Sequence, residues 1–142
     1  MNAKTAISLV RRFEDGSLPK EEWTHTAHFV MAFWYCLHFP LPEAVQRIRE
    51  GIKCYNVRVG GLNTDHSGYH ETVTLFFVIT ISRFIVVTGV DSWDDEVLEL
   101  LLQQEFCKKD YVHRFYGAGV LSGREARLGW VEPEASDYFI SK

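Results

Sequence analysis

The sequence predicts an all-α fold, an up-down helical bundle of about five helices with an irregular C-terminal tail. Apolar residues recur three and four positions apart along most of the chain, the period of a helix with one buried face. Acidic and proline-containing start signals alternate with Gly and Pro stop signals. The most apolar run, residues 73–87, is rich in β-branched residues, but its length without Gly or Pro favours a helix over a strand.

Size and composition predict one domain over residues 1–142. The chain has 142 residues, of which 46% are hydrophobic and 14% aromatic, enough to form a core. The formal charge is −4 and Lys and Arg are dispersed, so we expect neither nucleic acid nor an anionic membrane as the partner. The N-terminus lacks the apolar core of a signal peptide, and run 73–87 is shorter than the ~20 residues that span a bilayer. We therefore predict a cytoplasmic protein.

Start and stop signals divide this domain into helices. Pro19 and the acidic residues after it open the second helix, and Pro40 closes it. Gly60 and Gly61 end the third helix. The predicted helices are residues 3–13, 20–38, 43 to 55 or 59, 69–88 and 97–104, with a further short helix over 109–116. The tail, residues 124–142, is expected to pack irregularly over the bundle.

The three cysteines are predicted to be free, reduced thiols and not metal ligands. They are Cys36, Cys54 and Cys107, widely spaced and without a CxxC pair. An odd number of isolated cysteines in helical surroundings is typical of reduced, buried thiols in a cytosolic protein.

Four of the six histidines lie in two polar clusters, each at the start of an apolar run. The first cluster is residues 23–28, WTHTAH, and the second is residues 63–72, NTDHSGYHET. Imidazole and carboxylate groups are costly to bury unless they are hydrogen-bonded, paired or bound to a metal. His66, within the second cluster, is interpreted as a loop residue, and the two histidines outside the clusters as a helix-end residue (His38) and a surface residue (His113).

Helical periodicity places three of these histidines on inward faces. His25 and His28 are one turn apart on a stripe that continues through Ala32 and Tyr35, and His70 heads a second stripe. Short connections between the second, third and fourth helices predict an up-down-up order, in which the second and fourth helices begin at the same end. We therefore expect one shared site at that end of the bundle.

Three imidazoles and an open position suit Zn²⁺, Ni²⁺, Fe²⁺ or Mn²⁺. The predicted metal ligands are His25, His28 and His70, with Glu71 as a fourth ligand or as the base for a bound water. The positive helix N-termini disfavour a cation but favour an anionic substrate. The residues predicted to bind substrate are Asn63, Asp65, Tyr69 and Tyr35.

Three stretches of the chain together resemble a family of small, uncharacterised bacterial proteins. They are the WxHxxH segment within residues 18–29, the GYHET block at 68–72, and residues 122–133, which contain REAR and WVEP. The resemblance implies a single domain and no particular reaction. More distantly, the three histidines are similar to those of the DinB/YfiT-like metal-binding bundles, although here two predicted ligands come from one helix at i, i+3.

Three classes of function follow from these observations. The first is a metal-dependent hydrolase or transferase that acts on a small molecule. The second is a non-enzymatic module, in which a metal-free histidine network is structural or binds a small anionic ligand in an aromatic-walled pocket. The third is an interaction protein that forms a homodimer through the aromatic tail residues Trp130, Tyr138 and Phe139.

Overall fold

A computed structural model describes residues 1–134 and confirms the all-α prediction. These residues form six α-helices and no β-strand. The helices are α1 (Ala3–Asp15), α2 (His25–His38), α3 (Leu41–Arg58), α4 (Glu71–Thr88), α5 (Asp95–Leu102) and α6 (Arg124–Leu128). Tyr138 and Phe139 of the predicted interaction tail lie outside the described residues.

Helix α2 begins five residues later than predicted because Thr24 caps it. The Thr24 hydroxyl accepts a hydrogen bond from the backbone N–H of Ala27 at 3.1 Å, which satisfies one of the free donors of the first turn. The acidic signal before it forms a separate 3₁₀ turn, Lys20–Glu22. The prediction of one continuous helix over 20–38 was therefore wrong at its N-terminal end.

The helix predicted over 109–116 is also different in the structure. Two 3₁₀ turns, Glu105–Cys107 and Tyr111–Arg114, occupy this region. Glycines follow at positions 117 and 119, the latter with a positive φ of 84°, and they allow the chain to turn back toward α6. Residues 105–122 are named the C-terminal wall below.

Helix α2 is central and packs against α1, α3, α4 and α5. Its buried residues occupy most of its circumference, as expected of a helix surrounded by others. Helix α4 packs against α2, α3 and α6.

By length and composition alone, α4 is also the one helix within residues 1–134 that is long and apolar enough to cross a membrane.

The C-terminal wall and the residues after it are attached to α4 by a second, smaller core. Phe76 of α4, Val112 and Tyr116 are buried together, and Trp130 is partly buried against them. The Thr72 hydroxyl donates to the carbonyl oxygen of Gly129 at 2.7 Å and accepts from the N–H of Val131 at 3.0 Å. Trp130 is thus part of the packed chain, and its predicted role in a homodimer stays a prediction.

Candidate functional site

The three predicted histidines lie around one cavity. Its volume is about 650 Å³, and it is bounded by α2, α3, α4 and the C-terminal wall. His25 and His28 come from the first turn of α2, and His70 is the N-cap residue of α4. The N-terminal ends of α2 and α4 therefore lie at the same end of the bundle, as the up-down-up order predicts.

The cavity is apolar at its floor and polar at its rim. Its exposed lining residues, Lys109, His113 and Ser122, all belong to the C-terminal wall. His25, His28, His70 and Thr74 are partly buried between rim and floor. The floor is formed by buried apolar side chains from three helices, among them Phe29, Met31, Ile48, Ile52, Val78 and Ile81. An apolar pocket with a few convergent polar groups is the usual form of a small-molecule site.

Two of the histidines hold the C-terminal wall in place. His25 Nε2 lies 2.9 Å from the carbonyl oxygen of Cys107, and His70 Nε2 lies 2.7 Å from that of Leu121. Because a carbonyl oxygen only accepts, each Nε2 carries the hydrogen and donates it. The two imidazoles therefore attach α2 and α4 to the backbone of the wall.

His70 uses both of its ring nitrogens. While Nε2 donates to Leu121, Nδ1 accepts the backbone N–H of Val73 at 3.2 Å and caps α4. This pattern requires a neutral ring, since a proton on Nδ1 would oppose the Val73 N–H. Burial lowers the pKa of His70, and the positive charge of Arg127 contributes to the lowering.

His28 lines the cavity and keeps one ring nitrogen without a hydrogen-bond partner among residues 1–134. Its Nδ1 donates to the Thr24 carbonyl oxygen at 2.6 Å, and its ring stacks on Trp23 with centroids 3.8 Å apart. Within residues 1–134, Nε2 has no hydrogen-bond partner, so in the neutral ring it is an acceptor. Burial lowers the pKa of His28, and the neighbouring His25 adds to the lowering.

Sequence reasoning missed two residues of the rim, Lys109 and His113. His113 is exposed, as predicted, yet it also lines the cavity. Lys109 has no ion-pair partner among the described residues, whereas its neighbour Lys108 pairs with Glu105 at 3.0 Å. Nothing in the local sequence indicated that these two side chains face the histidines, because residues 109–113 do not form the predicted α-helix and its i, i+4 spacing does not apply to them.

Glu71 does not line the cavity. Its carboxylate accepts two hydrogen bonds from Arg49 of α3, at 3.0 and 2.7 Å, and one from the Tyr69 hydroxyl at 2.6 Å. Burial opposes ionisation, but the bonds from Arg49 and Tyr69 outweigh it and lower the pKa of Glu71. The arrangement joins α3 to α4 on a different side of α4 from His70. A catalytic role for Glu71, and substrate binding by Tyr69, stay predictions.

The other predicted substrate-binding residues also lie away from the cavity lining. Asn63 organises its loop, since its side-chain oxygen accepts from Asn56 and from the Tyr69 N–H, while its amide donates to the Lys53 carbonyl. Asp65 pairs with His66 at 2.8 Å and with Arg124 at 3.2 Å on the surface. The Tyr35 hydroxyl donates to Glu14 of α1 at 2.5 Å.

The predicted metal ligands do not form a metal centre in this arrangement. Among the side chains of residues 1–134, no group of three or more His, Cys, Asp or Glu is positioned to hold an ion. Both nitrogens of His70 are hydrogen-bonded, while His25 Nδ1 and His28 Nε2 remain free of partners in the described chain. Two available nitrogens are fewer than the three protein ligands usual in a catalytic zinc site.

Comparison of the chain with protein-family models, with curated proteins and with solved structures gives no match. The resemblance to small bacterial proteins with WxHxxH and GYHET segments therefore stays a prediction. The class that fold and site define is an all-α bundle with a cavity lined in part by histidines.

Proposed function

We propose that this protein binds a small molecule that has an apolar body and a polar end, with the body in the cavity between α2, α3 and α4. The observation that supports this is the gradient along the cavity, from an apolar floor, past three partly buried imidazoles, to an exposed rim with Lys109 and His113. Its volume of about 650 Å³ falls within the range of small-molecule sites, ~300–1,000 Å³.

The side chains around the cavity favour binding over catalysis. Among the described residues, no carboxylate lines it, so the histidines of the lining lack the acidic partner that orients a catalytic histidine. The hydroxyl of Ser122, the one serine of the described lining, donates to the Gly119 carbonyl oxygen at 3.1 Å and not to an imidazole. One ring nitrogen of each of His25, His28 and His70 is hydrogen-bonded to a backbone carbonyl oxygen. What His28 offers is a fixed acceptor, Nε2, for a hydroxyl or N–H of the ligand.

Calorimetric titration with straight-chain primary alcohols tests this proposal. Each added methylene contributes about 0.8 kcal/mol when buried, so we expect affinity to rise about fourfold per carbon. The rise should stop when the chain reaches the floor. Absence of binding across the whole series would contradict the proposal.

A variant that fills the floor of the cavity tests whether the alcohols bind there. Ala32 lies on α2 and lines the cavity, so Ala32→Leu places new apolar atoms inside it. We expect weaker alcohol binding with little loss of thermal stability. The matched control is Thr26→Leu, an exposed position on the same helix that does not line the cavity. Equal binding by Ala32→Leu, Thr26→Leu and the parent protein would place the ligand elsewhere.

A second candidate function is binding of a divalent metal by His25, His28 and His70. The observation in its favour is that His25 Nδ1 and His28 Nε2, on the same cavity, have no partner within residues 1–134. His70 would join them only if its ring released either Leu121 or Val73. A stoichiometric ion in protein purified without a histidine tag, lost in His28→Ala and His70→Ala, would support this candidate. Protein that contains no such ion and takes up no added zinc or nickel would contradict it.

A further inference from the structure

We propose that the polar end of the ligand is an anion, such as a carboxylate, bound at the rim by Lys109 with His113 beside it. This inference rests on the proposed function, since it names the chemical class of ligand for the same cavity. The ligand is then an anionic amphiphile, whose head group lies at the C-terminal wall and whose apolar chain lies on the floor of the cavity.

The lining carries a positive charge and no negative one. Among the described residues it contains Lys109 and four histidines, of which His28 and His70 are neutral, and it contains no Asp or Glu. The positive charge of Arg127 also acts on His70, and the Arg127 guanidinium donates to the carbonyl oxygen of Gly68 at 2.8 Å. A neutral or cationic ligand would leave this excess of positive charge unbalanced, whereas an anion would balance it.

Lys109 is the side chain best placed to supply the charge. It is exposed at the rim, and no carboxylate among the described residues pairs with it. Lys108, one residue earlier, is also exposed but pairs with Glu105 and does not line the cavity. The two lysines therefore have the same chemistry and nearly the same position in the chain, yet only Lys109 reaches the cavity.

His113 and Lys109 lie on the same side of the wall. The Tyr111–Arg114 turn carries His113 onto the rim. The other basic residue of that turn, Arg114, points away and pairs with Glu105 at 3.0 Å. The turn thus places His113 at the cavity and Arg114, which is ion-paired, outside it.

The experiment is a calorimetric titration with four ligands of equal chain length: octanoate, octyl phosphate, octanol and octylammonium. We expect both anions to bind more tightly than octanol, and octylammonium to bind most weakly. Octyl phosphate binding more tightly than octanoate would show that the rim selects a doubly charged head group and not a carboxylate.

The Lys109→Met variant should lose about tenfold in affinity for octanoate, the usual effect of removing a hydrogen bond to a charged group, and should keep its affinity for octanol. Lys108→Met is the matched control and should bind both ligands as the parent protein does. His113→Gln should weaken octanoate binding by a smaller factor.

The outcomes separate the two proposals. Octanoate binding no tighter than octanol, or equal losses in Lys109→Met and Lys108→Met, would overturn the anion inference and leave the proposed function standing. Failure of all four ligands to bind would overturn both.

Discussion

The Nε2 atom of His70 lies 2.7 Å from the carbonyl oxygen of Leu121, which is 51 positions further along the chain. The same ring caps α4 through Val73. One side chain therefore stabilises both the start of a core helix and the attachment of the C-terminal wall, and it does so at the cavity.

Replacing His70 by alanine should destabilise the fold. An N-cap contributes ~0.5–2 kcal/mol and a further hydrogen bond about 1 kcal/mol, so we expect His70→Ala to lower the free energy of unfolding by about 1–3 kcal/mol. Urea unfolding followed by circular dichroism measures this loss. His66→Ala, at an exposed loop position, is the control and should change stability by less than about 0.5 kcal/mol. Equal effects of the two substitutions would contradict the role of His70.

Mild acid should also destabilise the protein. Burial lowers the pKa values of His28 and His70 below the 6.5 of a free imidazole, so the folded state holds both rings neutral while the unfolded chain binds protons. Stabilisation from these groups is complete above pH 6.5 and is lost as the pH falls from there through the folded-state pKa values.

Urea unfolding at about pH 7.5 and about pH 5.5 tests this, because most carboxylates titrate below that window. The double variant His28→Gln, His70→Gln should show a smaller difference between the two pH values. A parent protein that is equally stable at both, or more stable in acid, would contradict the prediction.

The Arg49–Glu71 pair should contribute more than an ordinary surface pair. Its side chains are 29% and 15% exposed and share two hydrogen bonds. The pair Arg47–Glu43, at 2.8 Å, is 50% and 46% exposed and is confined to α3. Double-mutant cycles to alanine should give a coupling energy of about 1–3 kcal/mol for the first pair. The second should give less than about 0.5 kcal/mol. A coupling as small for the first pair as for the second would show that the α3–α4 contact depends on packing alone.

One thiol per chain should react rapidly in the folded protein. The prediction that all three cysteines are buried was wrong for Cys54, which is exposed on α3. Burial raises the pKa of Cys36 and of Cys107 to about 12, and the thiolate is the reactive form. Titration with an aromatic disulfide reagent at neutral pH should detect Cys54 at once and the other two after denaturation. Cys54→Ser should remove the rapid phase, and rapid reaction of more than one thiol would contradict the burial of the others.

The position of the cavity could be predicted because it depends on local patterns. The stripes that begin at His25 and His70 follow the helical period, and short connections determine which helix ends lie together. Thr24 was overlooked as a cap, although a Thr before an apolar helix is a common N-cap, and α2 was predicted too long as a result.

The sequence could not show which of the residues near these histidines face the cavity. Glu71 follows His70 directly, but successive residues on a helix point about 100° apart, and Glu71 faces Arg49 instead of the cavity. His113 is on a 3₁₀ turn, where no helical stripe exists to indicate its direction. Its place at the rim depends on the packing of Val112 and Tyr116 against Phe76, a contact between distant parts of the chain.

The bonds from His25 and His70 to the C-terminal wall end on backbone carbonyls, and every amino acid has a carbonyl. The wall side of each bond therefore survives almost any substitution at positions 107 and 121, provided that the chain follows the same path. The histidine side has no such tolerance. In homologous chains we expect the two histidines to be retained while their partners vary freely, so covariation methods would find no signal for the two contacts that hold the C-terminal wall against the bundle.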